Sequence, residues 1–250
     1  MSETTIVHVH LLPSLIPLGS LRGGIAVVLD VLRATTVMTH ALASGCLRVV
    51  PCLEIDEAFR IAKSLPKGSA LLGGERAGLP IEGFDFGNSP EDYTRQSCEG
   101  RTLVMTTTNG TKAILASTDA DRVLIGSFPN LSATVEALRN DGRPIHVVCA
   151  GTEGHVSWED SLLAGAILSK LTDDPHRTND SGLLSLSSWR AAETAMRDAG
   201  KSLADIFARG RGGRRVTEIG LVPDILASAT IDRFDLVAEL SKEPLEIVKR

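Results

Sequence analysis

The chain of 250 residues is poor in aromatic residues, contains no long apolar run and has no excess of basic charge. Its formal net charge of −5 at pH 7 disfavours a nucleic-acid partner, because such proteins present a basic surface. No apolar run approaches the roughly 20 residues of a membrane-spanning helix, and the sequence does not open with the basic and then apolar pattern of a signal peptide. We therefore expect a cytoplasmic protein that does not bind membranes.

Cysteines are few, and nucleotide-binding glycine motifs are absent. The four cysteines show no Cys-x-x-Cys spacing, so we expect buried, reduced side chains rather than a zinc or redox site. Neither Gly-x-x-x-x-Gly-Lys-Ser/Thr nor Gly-x-Gly-x-x-Gly occurs, which gives nucleotide binding little support. In contrast, 43% of the residues are hydrophobic, enough for a globular protein with a sizeable core.

Apolar runs of strand length alternate with segments of helical periodicity. The predicted strands are 6–10, 25–29, 47–50, 70–72, 103–105, 123–125 and 145–149. The predicted helices are 36–44, 55–65, one that begins at 89–90, 111–117, 131–139, 158–171, 188–199, 203–209 and 223–229. This alternation predicts the α/β class, a layered sheet with helices on its faces. We expect one domain over 1–250, with the polar segment 172–184 as a loop that marks any division into two lobes.

Three predicted strands end abruptly in charged or hydroxylated residues. The three clusters are Asp30-Val-Leu-Arg33-Ala-Thr35-Thr36, Gly73-Gly74-Glu75-Arg76 and Thr106-Thr-Thr-Asn109-Gly110-Thr111. Ligands of α/β sheets bind at the carboxyl ends of the strands, so we expect the clusters to converge on one site. Their carboxylates, guanidiniums and backbone N–H groups suit an anion and a divalent cation.

Each cluster also has a purely structural interpretation. Asp30 could cap the following helix, and Glu75 and Arg76 could be a solvated pair after a glycine turn. A fourth cluster, which includes His155, leads to Glu159 and Asp160 in the first turn of a helix, where acids commonly complement the helix dipole. These two acids could instead complete an oxygen-ligand site for Mg²⁺, whereas a lone histidine is more often a surface residue than a proton donor.

Taken together and in order, the motifs resemble those of the 2-phosphosulfolactate phosphatase (ComB) family. The motifs are Val28-Leu-Asp30-Val-Leu-Arg33-Ala-Thr-Thr36, Gly73-Gly-Glu75-Arg76, Gly83-Phe-Asp-Phe-Gly-Asn88-Ser-Pro90, Thr107-Thr-Asn109-Gly-Thr111 and Gly151-Thr…Ser157-x-Glu159-Asp160. The resemblance covers about residues 5 to 165 and is weaker from residue 203 to the end. It implies the layered α/β fold of that family and a Mg²⁺-dependent hydrolysis of 2-phospho-3-sulfolactate to 3-sulfolactate and phosphate, a step of coenzyme M biosynthesis.

The chemistry of such a reaction assigns roles to the candidate residues, since a phosphate monoester needs a cation and donors for its charged oxygens. The predicted catalytic residues are Asp30, Arg33, Glu75 and Asn109. The predicted metal ligands are Asp30, Glu75 and Asp160, with Glu159 as a substitute. The predicted substrate-binding residues are Arg33, Arg76, Asn88, Thr107, Asn109, Gly110 and Thr111.

Several alternatives stay open from the sequence. A water molecule could attack phosphorus, or Asp30 could form an aspartyl-phosphate; we favour water, because position 32 is leucine and offers no second acid. The substrate could be another small phosphorylated carboxylic acid, and the chain could be a non-catalytic binding module or another α/β enzyme of sugar or nucleotide metabolism. The oligomeric state is open, and the basic residues Arg211, Arg214 and Arg215 are interpreted as a solvated surface.

Overall fold

The computed structural model of the protein describes residues 5–172 and 174–250. One mixed sheet runs through this part of the chain, in the order β1-β8-β2-β7-β9-β10-β3-β6-β4-β5. Its strands are β1 Val7–His10, β2 Ile25–Leu29, β3 Arg48–Pro51, β4 Ala70–Arg76, β5 Leu79–Pro80, β6 Thr102–Thr106, β7 Arg122–Gly126, β8 Ile145–Cys149, β9 Ala238–Lys242 and β10 Leu245–Lys249.

Ten α-helices surround this sheet in the described ranges. They are α1 Ala34–Ala43, α2 Ile55–Ser64, α3 Arg95–Cys98, α4 Gly110–Ala116, α5 Leu131–Asp141, α6 Trp158–Leu171, α7 Asp180–Ala199, α8 Leu203–Phe207, α9 Arg211–Glu218 and α10 Val222–Ser228. None of the helices in these ranges combines the length and apolar character needed to cross a membrane. The predicted α/β class, a sheet flanked by helices, is confirmed.

The sheet is covered on both faces, as β2 shows. Ile25, Val27 and Leu29 point into one hydrophobic cluster, whereas Ala26 and Val28 point into the other. All five are fully buried, because successive side chains of a strand point to opposite faces and both faces carry helices. This explains why the strand is a continuous apolar run in the sequence.

Two parallel groups of strands are joined by an antiparallel hairpin from the end of the chain. In one group β1, β8, β2 and β7 pair in parallel, and in the other β3, β6 and β4 do so. The hairpin β9–β10 lies between them, with β9 against β7 and β10 against β3. Neither this hairpin nor the short helix α9 was predicted from the sequence.

Two local predictions were wrong. The segment 172–184 is not one loop, because α7 begins at Asp180; the Asn179 side chain accepts a hydrogen bond from the Gly182 N–H and caps the helix. Residue 173 lies outside the described residues. Ser89 does not open an α-helix either, since only a single 3₁₀ turn, Pro90–Asp92, follows it and its side chain makes no cap hydrogen bond.

The remaining predicted elements are present, with small shifts at several ends. Strand β2, strand β8 and helix α6 have the predicted bounds, and β4 is longer than predicted because it continues through Arg76. The four cysteines are free and buried, as expected.

Candidate active site

A cleft opens where β2, β4, β6 and β8 end, so the segments that follow these strands meet there. The lining residues are Asp30, Leu32, Arg33, Glu75, Ala77, Gly78, Asn88, Thr108, Asn109, Thr152, Glu153, Gly212, Arg215, Val216 and Ile219. The structure therefore brings together residues from all three strand-end clusters. It adds one wall that the sequence analysis did not anticipate, formed by α9.

Asp30 lies at the base of the cleft and is also part of the start of α1. Its backbone N–H donates to the Thr35 hydroxyl at 3.0 Å, and its Oδ1 accepts a hydrogen bond from the Ala34 N–H at 3.4 Å. The side chain is buried, and this burial, together with the charge of Glu75, raises the pKa of Asp30 to about 7. Asp30 thus combines the capping role and a place in the cleft.

Glu75 links the end of β4 to the loop after β6. Its Oε1 accepts a hydrogen bond from the Thr108 N–H, and its Oε2 accepts one from the Gly78 N–H, both at 2.7 Å. These two bonds fix a buried carboxylate beside Asp30 in the cleft wall. Each oxygen keeps a lone pair for a further ligand, because one N–H occupies only one of them.

Arg33 forms a buried ion pair that the sequence analysis missed. Its Nη1 donates to Oδ2 of Asp224 at 2.5 Å, and its Nη2 donates to the Gly78 carbonyl at 2.8 Å. The same Asp224 oxygen accepts a hydrogen bond from the Ser89 hydroxyl at 3.0 Å. Arg33 therefore reaches the cleft with its charge already balanced, and its guanidinium is held in place by Asp224 and Gly78.

The two acids at the start of α6, Glu159 and Asp160, are buried and are not among the lining residues of the cleft. Asp160 accepts hydrogen bonds from the Val31 N–H at 2.8 Å and the Gly151 N–H at 3.1 Å, so it joins the loops after β2 and β8. Glu159 is equally buried, yet its Oε2 has no hydrogen-bond partner. Burial raises the pKa of both carboxyls.

Some residues of the segment after β6 line the cleft, and others hold the turn behind them in place. Asn109 lines the cleft, and its Oδ1 accepts a hydrogen bond from the Glu153 N–H at 3.1 Å. Thr107 and Thr111 are buried and bond to each other, so they shape the turn without reaching the cleft surface. Gly110 is required by space, because an added Cβ would lie 2.8 Å from Oδ2 of Asp30.

Asn88 and Arg76, both predicted to bind the substrate, differ in their position relative to the cleft. Asn88 lines the cleft, and its buried Oδ1 has no hydrogen-bond partner. Arg76 is not among the lining residues; its guanidinium donates to the Leu53 carbonyl at 2.7 Å and the Thr106 hydroxyl at 2.9 Å. This position gives no support to Arg76 as a clamp for the substrate. The exposed His155 also lies outside the lining.

The acids present fit an open Mg²⁺ site rather than a closed cage. Across the described ranges, no group of three or more His, Cys, Asp or Glu side chains is arranged to hold a metal ion. The charges of Glu75 and Glu159 nevertheless both act on Asp30, and Glu159 has an unpartnered buried oxygen. Mg²⁺ typically takes one or two carboxylates and completes its shell with water and substrate phosphate, which this donor set allows.

A cleft with these carboxylates, a fixed guanidinium and backbone N–H donors at the carboxyl ends of parallel strands defines an α/β enzyme for a small anionic substrate. The family model for 2-phosphosulfolactate phosphatase matches residues 10–243. The chain therefore belongs to the 2-phosphosulfolactate phosphatase family and is a phosphoric monoester hydrolase. The resemblance found in the sequence is confirmed.

Relatives that match most of the chain have the same family name. A probable 2-phosphosulfolactate phosphatase of Caldanaerobacter subterraneus subsp. tengcongensis is 38% identical over 215 residues, which cover 86% of each chain. One of Symbiobacterium thermophilum is 42% identical over 223 residues, or 88% of this chain and 93% of the relative. The match includes α9 and reaches beyond the strand-end motifs that carried the resemblance.

Proposed function

We propose that this protein is a Mg²⁺-dependent phosphatase that hydrolyses 2-phospho-3-sulfolactate to 3-sulfolactate and phosphate. The observation that carries the proposal is the meeting of Asp30, Glu75 and Arg33 in one cleft at the strand ends. The names of the relatives support the choice of substrate. A role in coenzyme M biosynthesis and a cytoplasmic location stay predictions.

The need for a cation follows from the charges in the cleft. Asp30 and Glu75 are buried next to each other, and their mutual repulsion helps to raise the pKa of Asp30 to about 7. A phosphate dianion would add further negative charge at this place. Mg²⁺ held by Asp30 with Glu75 or Glu159 would neutralise the nonbridging phosphate oxygens.

The residues of the chain supply orientation around that charge. Arg33 and the Asn109 segment would hold phosphate oxygens, since both line the cleft and are fixed by hydrogen bonds on their far sides. Asp30 or Glu75 would orient a water molecule in line with the ester bond and accept its proton. As the water oxygen bonds to phosphorus, the P–O ester bond breaks, and the alkoxide oxygen takes back the proton that the carboxyl accepted from water to give 3-sulfolactate.

Water attack is preferred over an aspartyl-phosphate in this proposal. An aspartyl-phosphate route of the haloacid-dehalogenase type uses a second acid two residues after the nucleophile. Leu32 occupies that position and lines the cleft. It offers no proton to a leaving group, so Asp30 is assigned to binding and water orientation.

The test is phosphate release from 2-phospho-3-sulfolactate with Mg²⁺ and with EDTA. The native chain, Asp30→Asn and the exposed control Asp235→Asn are compared. We expect turnover that requires Mg²⁺, at least ~100-fold less turnover in Asp30→Asn, and native turnover in the control. Turnover of other phosphorylated carboxylic acids, but not of 2-phospho-3-sulfolactate, would reject the proposed substrate. Turnover in EDTA would reject the proposed need for Mg²⁺, and binding without any turnover would reject the proposed reaction.

A further inference from the structure

The side of α9 that forms the unexpected cleft wall carries a single charged residue. The cleft is lined by Gly212, Arg215 and Val216 of α9 and by Ile219 at its C-terminal cap. Their spacing of three, four and seven residues places them on one side of the helix. Gly212 packs so closely on Glu159 that an added Cβ would lie 1.9 Å from its Oε1. Helix α9 is thus packed tightly against Glu159, and Arg215 lies on the same face of the helix as Gly212.

Arg215 differs from the other arginine of the cleft in its partners. Arg33 is buried and paired with Asp224, so its charge is already balanced. Arg215 is exposed, and its Nη2 donates to the Ala77 carbonyl at 3.3 Å. Within 5–172 and 174–250, no carboxylate forms an ion pair with Arg215, whereas its neighbour Arg211 is paired with Glu153.

The substrate of the proposed reaction carries charge that the phosphate-binding part of the cleft cannot accommodate. Besides phosphate, it has a carboxylate and a sulfonate on the adjacent carbon atoms. Asp30 and Glu75 would repel both of these groups, and Arg33, already paired with Asp224, is assigned to the phosphate. The second anionic group therefore needs a further cation among the lining residues of the cleft.

We propose that Arg215 binds the second anionic group of the substrate, a sulfonate or a carboxylate, and thereby determines which phosphate esters the enzyme accepts. The inference rests on the proposed function. One guanidinium edge lies on Ala77, while the remaining N–H donors are available for two parallel hydrogen bonds to a planar or tetrahedral oxyanion. The side chain follows Gly212 by three residues, about 4.5 Å along the helix axis, which separates this site from the Glu159 contact.

The test replaces Arg215 and, as a matched control, its neighbour in α9. Arg214 is also exposed but does not line the cleft, and it donates to the Arg209 carbonyl. Arg215→Gln, Arg215→Lys and Arg214→Gln are assayed with 2-phospho-3-sulfolactate, 2-phospholactate, the phosphate ester of 2-hydroxyethanesulfonate, and phenyl phosphate. These esters carry both groups, the carboxylate alone, the sulfonate alone and neither group.

For Arg215→Gln we expect kcat/KM for 2-phospho-3-sulfolactate to fall by at least about tenfold, mainly through a higher KM, because a charged hydrogen bond is lost. Arg215→Lys should recover part of this loss. Phenyl phosphate should be hydrolysed as by the native chain, and Arg214→Gln should match the native chain on all four esters. The single-group ester that loses activity with Arg215→Gln identifies the sulfonate or the carboxylate as the group bound.

Binding of 3-sulfolactate by calorimetry separates the two proposals. Binding that weakens at least about tenfold in Arg215→Gln, without native turnover, would support the anion site and reject the proposed reaction. If the native chain turns the substrate over, and Arg215→Gln loses the same fraction of kcat/KM on all four esters or loses none, the proposed role of Arg215 is overturned. A native chain that neither binds 3-sulfolactate nor releases phosphate would overturn both.

Discussion

The ion pair between Arg33 and Asp224 shows how one carboxylate, that of Asp224, can hold several segments around the cleft in place. The two side chains are 3% and 4% exposed, and 191 positions separate them in the sequence. Asp224 also accepts a hydrogen bond from Ser89, so one carboxylate holds α10, the loop before the Pro90 turn and the loop after β2 together. Local patterns predicted Arg33 as a site residue, but nothing near it in the sequence indicates its partner.

We predict that Asp224→Asn lowers the free energy of unfolding by about 3 to 5 kcal/mol, because Arg33 is then left buried without a counter-charge. Urea denaturation of the native chain, this variant and the exposed control Asp235→Asn measures the change. The control should lie within ~0.5 kcal/mol of the native chain. A native-like Asp224→Asn would show that Arg33 finds a different partner or solvent.

At the scale of elements, local patterns predicted α6 correctly but missed the start of α7. Helix α6 has the bounds that its apolar periodicity predicts. The start of α7, residues 180–184, was predicted as loop, because Asp180-Ser-Gly182 is typical of turns when taken alone. The helix forms there because Asn179 caps it and because Ser185, Leu186 and Trp189 are buried.

We predict that Gly165→Ala destabilises the protein, although alanine normally favours a helix interior by about 1 kcal/mol. An added Cβ in α6 would lie 2.1 Å from the Ser185 carbonyl oxygen of α7, so the two helices would have to move apart. Thermal unfolding should show a lower Tm for Gly165→Ala. Ser187→Ala, an exposed change in α7, should leave the Tm nearly unchanged; a Tm at or above native for Gly165→Ala would contradict this packing.

At the scale of the whole molecule, buried histidines and buried acids from distant parts of the chain change the stability of the fold with pH in opposite directions. His10, His40 and His146 are buried and their pKa values are lowered, to about 4 for His40 and His146. Burial is the main cause, and at His146 the neighbouring His10 and His8 add to it. The buried acids Asp30, Glu159 and Asp160 have raised pKa values instead, so the stability they contribute is lost as the pH rises, for Asp30 through about 7.

We predict that His146 makes the native fold less stable as the pH falls from 7 to 5. Its pKa in the folded state is below the ordinary 6.5, so the unfolded chain binds the proton first, and stability present above pH 6.5 is lost towards pH 4. The difference in unfolding free energy between pH 7 and 5 should therefore shrink in His146→Asn, by roughly 1 kcal/mol. Exposed His155→Gln serves as the control and should keep the native difference; an unchanged difference in His146→Asn would contradict the shifted pKa.

Local patterns in the sequence predicted the α/β class, most of the elements and the strand ends at which Asp30, Glu75 and Asn109 lie. Periodicity and turn residues act over a few positions, so they can be read locally. The tertiary structure was needed to place the β9–β10 hairpin inside the sheet, to show that Arg76 is not among the lining residues, and to bring Arg215 to the cleft and Asp224 to Arg33. The contacts of Arg76 span 23 and 30 positions, and those of the hairpin, Arg215 and Asp224 span more than 100. Side-chain packing and charge pairing between such distant segments decide these outcomes, and no local pattern contains them.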